Sequence, residues 1–128
     1  MPLTRIDMPR GRSADYRQTL RDVVYETLHS VMGVPEGDRF EVLAEHDSGS
    51  LDLSPDYLGI SRSPDAIVIQ ITLNAGRTVE VKRAFYAALA AALHERLGMR
   101  PEDVTISLVE VAKENWSFGN GVAQYAEA

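Results

Sequence analysis

Apolar residues recur at three- and four-residue steps in two long stretches of the chain and crowd into short runs in four others. From Ala14 onward, Tyr16, Leu20, Val23, Val24, Leu28, Val31 and Met32 follow the helical spacing, which predicts an amphipathic helix. Ser13 is placed to cap it, Asp15 suits the positive end of its dipole, and Gly33 is a stop signal. The second stretch carries Val81, Phe85, Ala88, Leu89, Ala92, Leu93 and Leu97, with Thr78 as cap, Glu80 in the first turn and Gly98 as stop. Residues 3–8 predict a short strand with imperfect alternation, and residues 40–45 an alternating one. Residues 66–72 are β-branched and nearly continuous, so this strand is expected to be central and buried on both faces. Residues 104–111 predict a final long strand, and 9–12, 34–38, 73–77 and 99–103 read as loops and turns.

The two halves repeat each other. Gly11-Arg12-Ser13 recurs as Gly76-Arg77-Thr78 and Gly33 as Gly98, both shifted by 65, and Pro35-Glu36 recurs as Pro101-Glu102, shifted by 66. Each half reads strand, Gly-Arg loop, capped helix, Gly stop, Pro-Glu turn, strand. The expected fold is α/β: one domain over 1–128, built from duplicated βαβ units at about 2–46 and 66–111. Right-handed crossovers make the strands of each unit parallel and put both helices on one face of a four-stranded mixed sheet. A linker, 47–65, rich in Ser, Asp, Gly and Pro, joins the units, and a tail, 112–128, follows. With strands read as apolar on both sides and nothing left to cover the second face, oligomerisation is expected.

Composition narrows the functions. One domain fits 128 residues, and 45% hydrophobic content supports a real core. A net charge of -6 argues against nucleic-acid or anionic-membrane partners. There is no Cys, and His29, His46 and His94 lack ligand spacing, so neither thiolate chemistry nor a metal is expected. No apolar run approaches a membrane span, and the first residues lack a signal-peptide layout, so a cytoplasmic location is expected.

The candidate chemistry begins at Met1-Pro2. Met1 is expected to be trimmed before Pro2, leaving a secondary amine anchored by the strand that follows. A free α-amino group titrates near ~8, and burial or a nearby cation lowers that value, so this amine can serve as base, acid or nucleophile. In the plainer alternative, Pro2 merely starts an edge strand.

The chain resembles the tautomerase superfamily, whose duplicated βαβ units carry an amino-terminal catalytic proline, and the resemblance spans nearly all of it. The Gly11-Arg12-Ser13 loop is similar to that of 4-oxalocrotonate tautomerase. The turn Val34-Pro35-Glu36-Gly37-Asp38-Arg39 and the segment Trp116-Ser117-Phe118-Gly119 are similar to the malonate semialdehyde decarboxylase branch. The resemblance implies a homotrimer with no metal or organic cofactor, acting on small keto or enol carboxylic acids. Pro2 would be the catalytic amine, and Asp38 the acid that handles water or orients Pro2. Arg77 would hold a substrate carboxylate or carbonyl, and Trp116 and Phe118 an apolar wall. Arg12, at the equivalent place in the first half, is either a further substrate contact or structural. Some decarboxylases carry two arginines in the second loop, where this chain has Ala75 and Arg77. Tautomerisation, decarboxylation of a β-keto acid such as malonate semialdehyde, and hydration of an unsaturated acid therefore all stay open. So do a non-catalytic trimeric binding module and a dimeric ferredoxin-like domain. Residue by residue, Asp38 could be a turn residue, Arg77 solvated and Trp116 packing. Gln124 and Tyr125 are weaker candidates, and His46 reads as structural.

Overall fold

The computed structural model describes residues 2–126. Its main elements are β1 (Leu3–Pro9), α1 (Ala14–Met32), β2 (Phe40–His46), β3 (Ile67–Asn74), α2 (Val79–Leu97) and β4 (Val104–Val111). The sheet order is β2-β1-β3-β4. β1 pairs parallel with β2, β3 parallel with β4, and the two units join through antiparallel β1 and β3. The helix ends are built as their sequences predict. Ser13 Oγ accepts the Tyr16 N–H at 3.0 Å and Thr78 Oγ1 the Val81 N–H at 3.2 Å. Gly33 sits at φ 72°, in the left-handed region that a side chain would strain.

Both helices pack on one side of the sheet. Ile6 and Met8 of β1, and Ile67, Ile69, Ile71 and Leu73 of β3, meet Leu20, Val24 and Leu28 of α1 and Phe85, Leu89 and Leu93 of α2, all buried. The expectation that β3 is buried on both faces fails within one chain. Gln70 is exposed on the far side, and Val68 and Thr72 are only half-buried there. The helices cover one face only, and period-two alternation sends every second residue to the other. That other face is mixed, not apolar throughout as expected. By register, Phe40, Leu3, Thr72 and Val109 form one row across it, and Val42, Arg5, Gln70 and Ser107 the next. Leu3, Phe40, Val42 and Val109 are large apolar side chains left exposed there.

β3 also extends through Leu73 and Asn74, which the sequence placed in a loop. Asn74 is in register with Val111, and Leu73 is buried, so pairing and packing carry the strand two residues further. Ala66 falls outside the strand, its N–H donating to the Ser63 carbonyl in a turn. The linker contains one short 3₁₀ turn, Tyr57–Gly59. The starts of β1 and β2 and the ends of β3 and β4 lie at the same end of the sheet. Among the described residues, no helix is long and apolar enough to cross a membrane and no group of three or more acidic or His residues could hold a metal. The expected removal of Met1 falls outside the described residues.

Candidate active site

Pro2 is buried at the head of β1 and shares its alternation with the helix-facing Thr4, Ile6 and Met8. It lines a crevice, too narrow for a water molecule, with Thr4, Tyr25, Leu28, Asp38, Arg39, Phe40 and Glu41. The turn that delivers Asp38 is held at two points. The Asp38 N–H donates to the Pro35 carbonyl at 3.1 Å, and the Gly37 N–H donates to the Tyr25 hydroxyl oxygen at 2.8 Å. Gly37 has φ 84°, a conformation open to glycine and strained for a side chain. Asp38 Oδ1 is shielded from solvent.

Two guanidiniums lie near this end, with opposite fates. Arg39 donates to Asp22 at 2.6 Å and to Glu41 at 2.8 Å, and its guanidinium carbon sits 4.8 Å from the Tyr25 ring centroid. Burial works against its charge, but Asp22 and Glu41 outweigh that and raise its pKa further. The Arg39 hydrogen bond in turn holds the Asp22 carboxyl below its ordinary value, against burial. Arg77 instead donates to two backbone carbonyls, Asn74 O at 3.2 Å and Met32 O at 3.3 Å. Its Nε is shielded from solvent and has no hydrogen-bond partner among the described residues. Carbonyls orient a guanidinium without neutralising it, so its fork remains suited to an anion. The loop leading to Arg77 is fixed by Glu110, which accepts from Lys82 Nζ at 2.6 Å and from the Gly76 N–H at 3.2 Å. Both bonds hold the Glu110 carboxyl below its usual range.

An aromatic chain connects the two sides. Trp116 Nε1 donates to Asn74 Oδ1 at 2.8 Å. The Trp116 ring stacks on Phe118 at 5.2 Å, Phe118 meets Phe40 at 5.8 Å, and Tyr125 stands edge-on to Phe118 at 5.2 Å. Phe40 also lines the Pro2–Asp38 crevice. Gln124 pins this segment, accepting the Phe118 N–H and donating to the Gly119 carbonyl, each at 2.9 Å. Pro2, Asp38, Arg77, Trp116 and Phe118 are thus gathered at one end of the sheet.

Arg12 is not among them. It follows β1 at the opposite end, 3.6 Å from Asp65 and stacked over Tyr16. Seven strand residues at about 3.3 Å each put the two ends roughly 20 Å apart, so one chain cannot place Arg12 beside Pro2. The duplication accounts for this end. The shift of 65 carries Asp38 to Asp103, which is buried and accepts from the Ser63 N–H and hydroxyl at 2.7 and 2.6 Å. It carries Pro2 to Ile67, which lies mid-chain and has no free amine. His46 lies on the open sheet face, its Nε2 2.6 Å from Asp7 Oδ1, away from the crevice. Three participants carried no sequence signal as site residues. Tyr25 lies off the apolar stripe of α1, Asn74 fell beyond the expected end of its strand, and Phe40 read as a strand residue.

The comparisons with known proteins bear on the family and the fold. The family described as "Tautomerase enzyme" matches residues 38–119. Probable tautomerase YusQ of Bacillus subtilis (strain 168) is 38% identical over 127 residues, which is 99% of this chain and all of that protein. FG41 malonate semialdehyde decarboxylase, solved with the inhibitor 3-bromopropiolate, is also 38% identical, with a TM-score of 0.89 over 96% of this chain and 93% of its own. A fused 4-OT solved as a symmetric trimer shares the fold, with a TM-score of 0.79 at 24% identity over 98% of this chain and 99% of its own.

Proposed function

Since the chain belongs to the tautomerase superfamily, as an enzyme of its malonate semialdehyde decarboxylase-like branch, we propose that it works without a cofactor, on small keto or enol carboxylic acids, through Pro2, Asp38 and Arg77. The observation that carries this reading is the shared crevice of Pro2 and Asp38 at the sheet end where the Arg77 guanidinium donates to two backbone carbonyls.

In this reading Met1 is removed and the ring nitrogen of Pro2 becomes a free amine. Arg77 engages the substrate carboxylate through its fork. The Trp116–Phe118 wall excludes water and strengthens that pairing. For tautomerisation, Pro2 takes the proton from the enol oxygen and returns it to the carbon two atoms away, with no net change in charge or oxidation state. For a β-keto acid, the bond to the carboxylate carbon breaks and carbon dioxide leaves. The electron pair becomes an enolate, whose oxygen Arg77 stabilises and whose carbon takes the proton held on Pro2. Arg77 and burial favour the neutral amine needed for the first reaction, and Asp38 favours the protonated amine needed for the second. The active unit is read as a trimer whose copies cover the mixed sheet face.

The test is Pro2→Ala, with Met1 removal verified by mass, assayed on an enol acid such as phenylpyruvate and on malonate semialdehyde. Loss of general acid–base help lowers kcat/KM by about 100-fold or more on the substrate that is turned over. An unchanged rate removes Pro2 from the mechanism.

A further inference from the structure

Asn74 occupies a junction that the proposed chemistry does not use. It ends β3 opposite Val111, the last residue of β4, and the two chains diverge there, one toward Arg77 and the other toward Trp116. Its backbone carbonyl accepts from Arg77 Nη1 at 3.2 Å, and its side-chain oxygen accepts from Trp116 Nε1 at 2.8 Å. An indole N–H can only donate, so the amide of Asn74 must present its oxygen there. The bond fixes the plane of Trp116, which stacks on Phe118, and Phe118 in turn meets Phe40, tilted by 38°, at the crevice. In the duplicate half the same position is Pro9, which has no side-chain acceptor. The hook exists only in the unit that adjoins the Pro2 crevice.

We infer that Asn74 is a positioning residue that sets the aromatic wall at a fixed place relative to the Arg77 guanidinium, and so selects flat carboxylic acids. This rests on the function proposed above. A flat conjugated acid gripped by Arg77 lies against a wall whose Trp116 ring is held in a fixed orientation. With the hook removed, Trp116 turns, the stack loosens and that contact is lost, while Pro2 and Asp38 stay in place. The effect falls on binding, not on the chemical step.

Trp116 is the only Trp, so its emission reports the hook directly. The experiment compares wild type with Asn74→Ala, Asn74→Asp, Trp116→Phe and the Asn74→Ala/Trp116→Phe pair. In Asn74→Ala the emission shifts to the red and becomes more open to acrylamide. Its KM for phenylpyruvate rises about tenfold, the scale of one lost hydrogen bond, with kcat within about threefold. Asn74→Asp keeps an acceptor and restores the wild-type emission. Trp116→Phe reproduces the rise in KM, and the double variant is no worse than either single one, because both remove the same bond. If the wild-type protein turns over neither acid, the functional proposal falls, and the Kd for benzoate, a flat unreactive carboxylate, takes the place of KM with the same tenfold change expected. Wild-type emission in Asn74→Ala, or additive losses in the double variant, would overturn the inference.

Discussion

The charge that matters at this site is decided by what each guanidinium touches. Arg39 is matched to Asp22 and Glu41, so its charge is committed to the fold. Arg77 is matched to two carbonyls. Arg77→Lys should therefore raise KM for a carboxylate substrate by about tenfold or more with a smaller change in kcat, because an ammonium offers no fork. Steady-state kinetics on the active substrate checks this. Tyr25→Phe leaves the Gly37 N–H without its acceptor and should lower stability by about 1 kcal/mol in urea unfolding, with a fall in kcat/KM as the Asp38 turn loosens. Pro2, Asp38, Arg77, Trp116 and Phe118 stood out in the sequence as candidates because each lies in a motif: the Met-Pro start, the Val-Pro-Glu-Gly-Asp-Arg turn, the Gly-Arg loop or the Trp-Ser-Phe-Gly segment. Tyr25 and Asn74 could not. Each acts on a residue far away in sequence, Gly37 for one and Trp116 for the other, and no local pattern encodes such a pair.

The helices were fully legible from their periodicity and caps, and their observed bounds follow Ser13, Gly33, Thr78 and Gly98. Ser13→Ala should cost about 1 kcal/mol in unfolding free energy, the usual weight of an N-cap. Strand ends were less legible. Leu73 and Asn74 joined β3 because β4 runs on beside them, a pairing that local sequence does not carry. The open face of β1 and β2 holds a further charge arrangement, with Asp7 accepting from Arg5 and in contact with His46. Burial pushes the Asp7 carboxyl up, but hydrogen bonds from His46 and Arg5 outweigh it and hold the carboxyl below the usual 3.8. The folded state thus binds this proton more weakly than the unfolded chain. Asp7 contributes stability above its ordinary value, and that contribution is lost as pH falls through the lower folded value. Unfolding free energy followed from pH 6 to pH 2 should decline less steeply in Asp7→Asn than in wild type.

At the scale of the whole molecule, duplication yields two similar sheet ends and one candidate site. The linker makes the difference. It joins the second unit to the first, so Ile67 cannot carry a terminal amine, and it places Ser63 on Asp103. The mixed sheet face, with Leu3, Phe40, Val42 and Val109 exposed, is where copies should meet. Light scattering should give three times the chain mass of 14.1 kDa. Val42→Glu, which puts a charge on the edge strand β2 of that face, should give a folded monomer by mass and circular dichroism. The central claim, that a free amine on Pro2 does the chemistry, is tested most directly by nitrogen NMR on protein labelled at proline. The Pro2 nitrogen should titrate, and its pKa should coincide with one limb of the kcat/KM–pH profile. A profile with no limb at that pKa, or a Pro2 nitrogen that does not titrate because Met1 is retained, would contradict it.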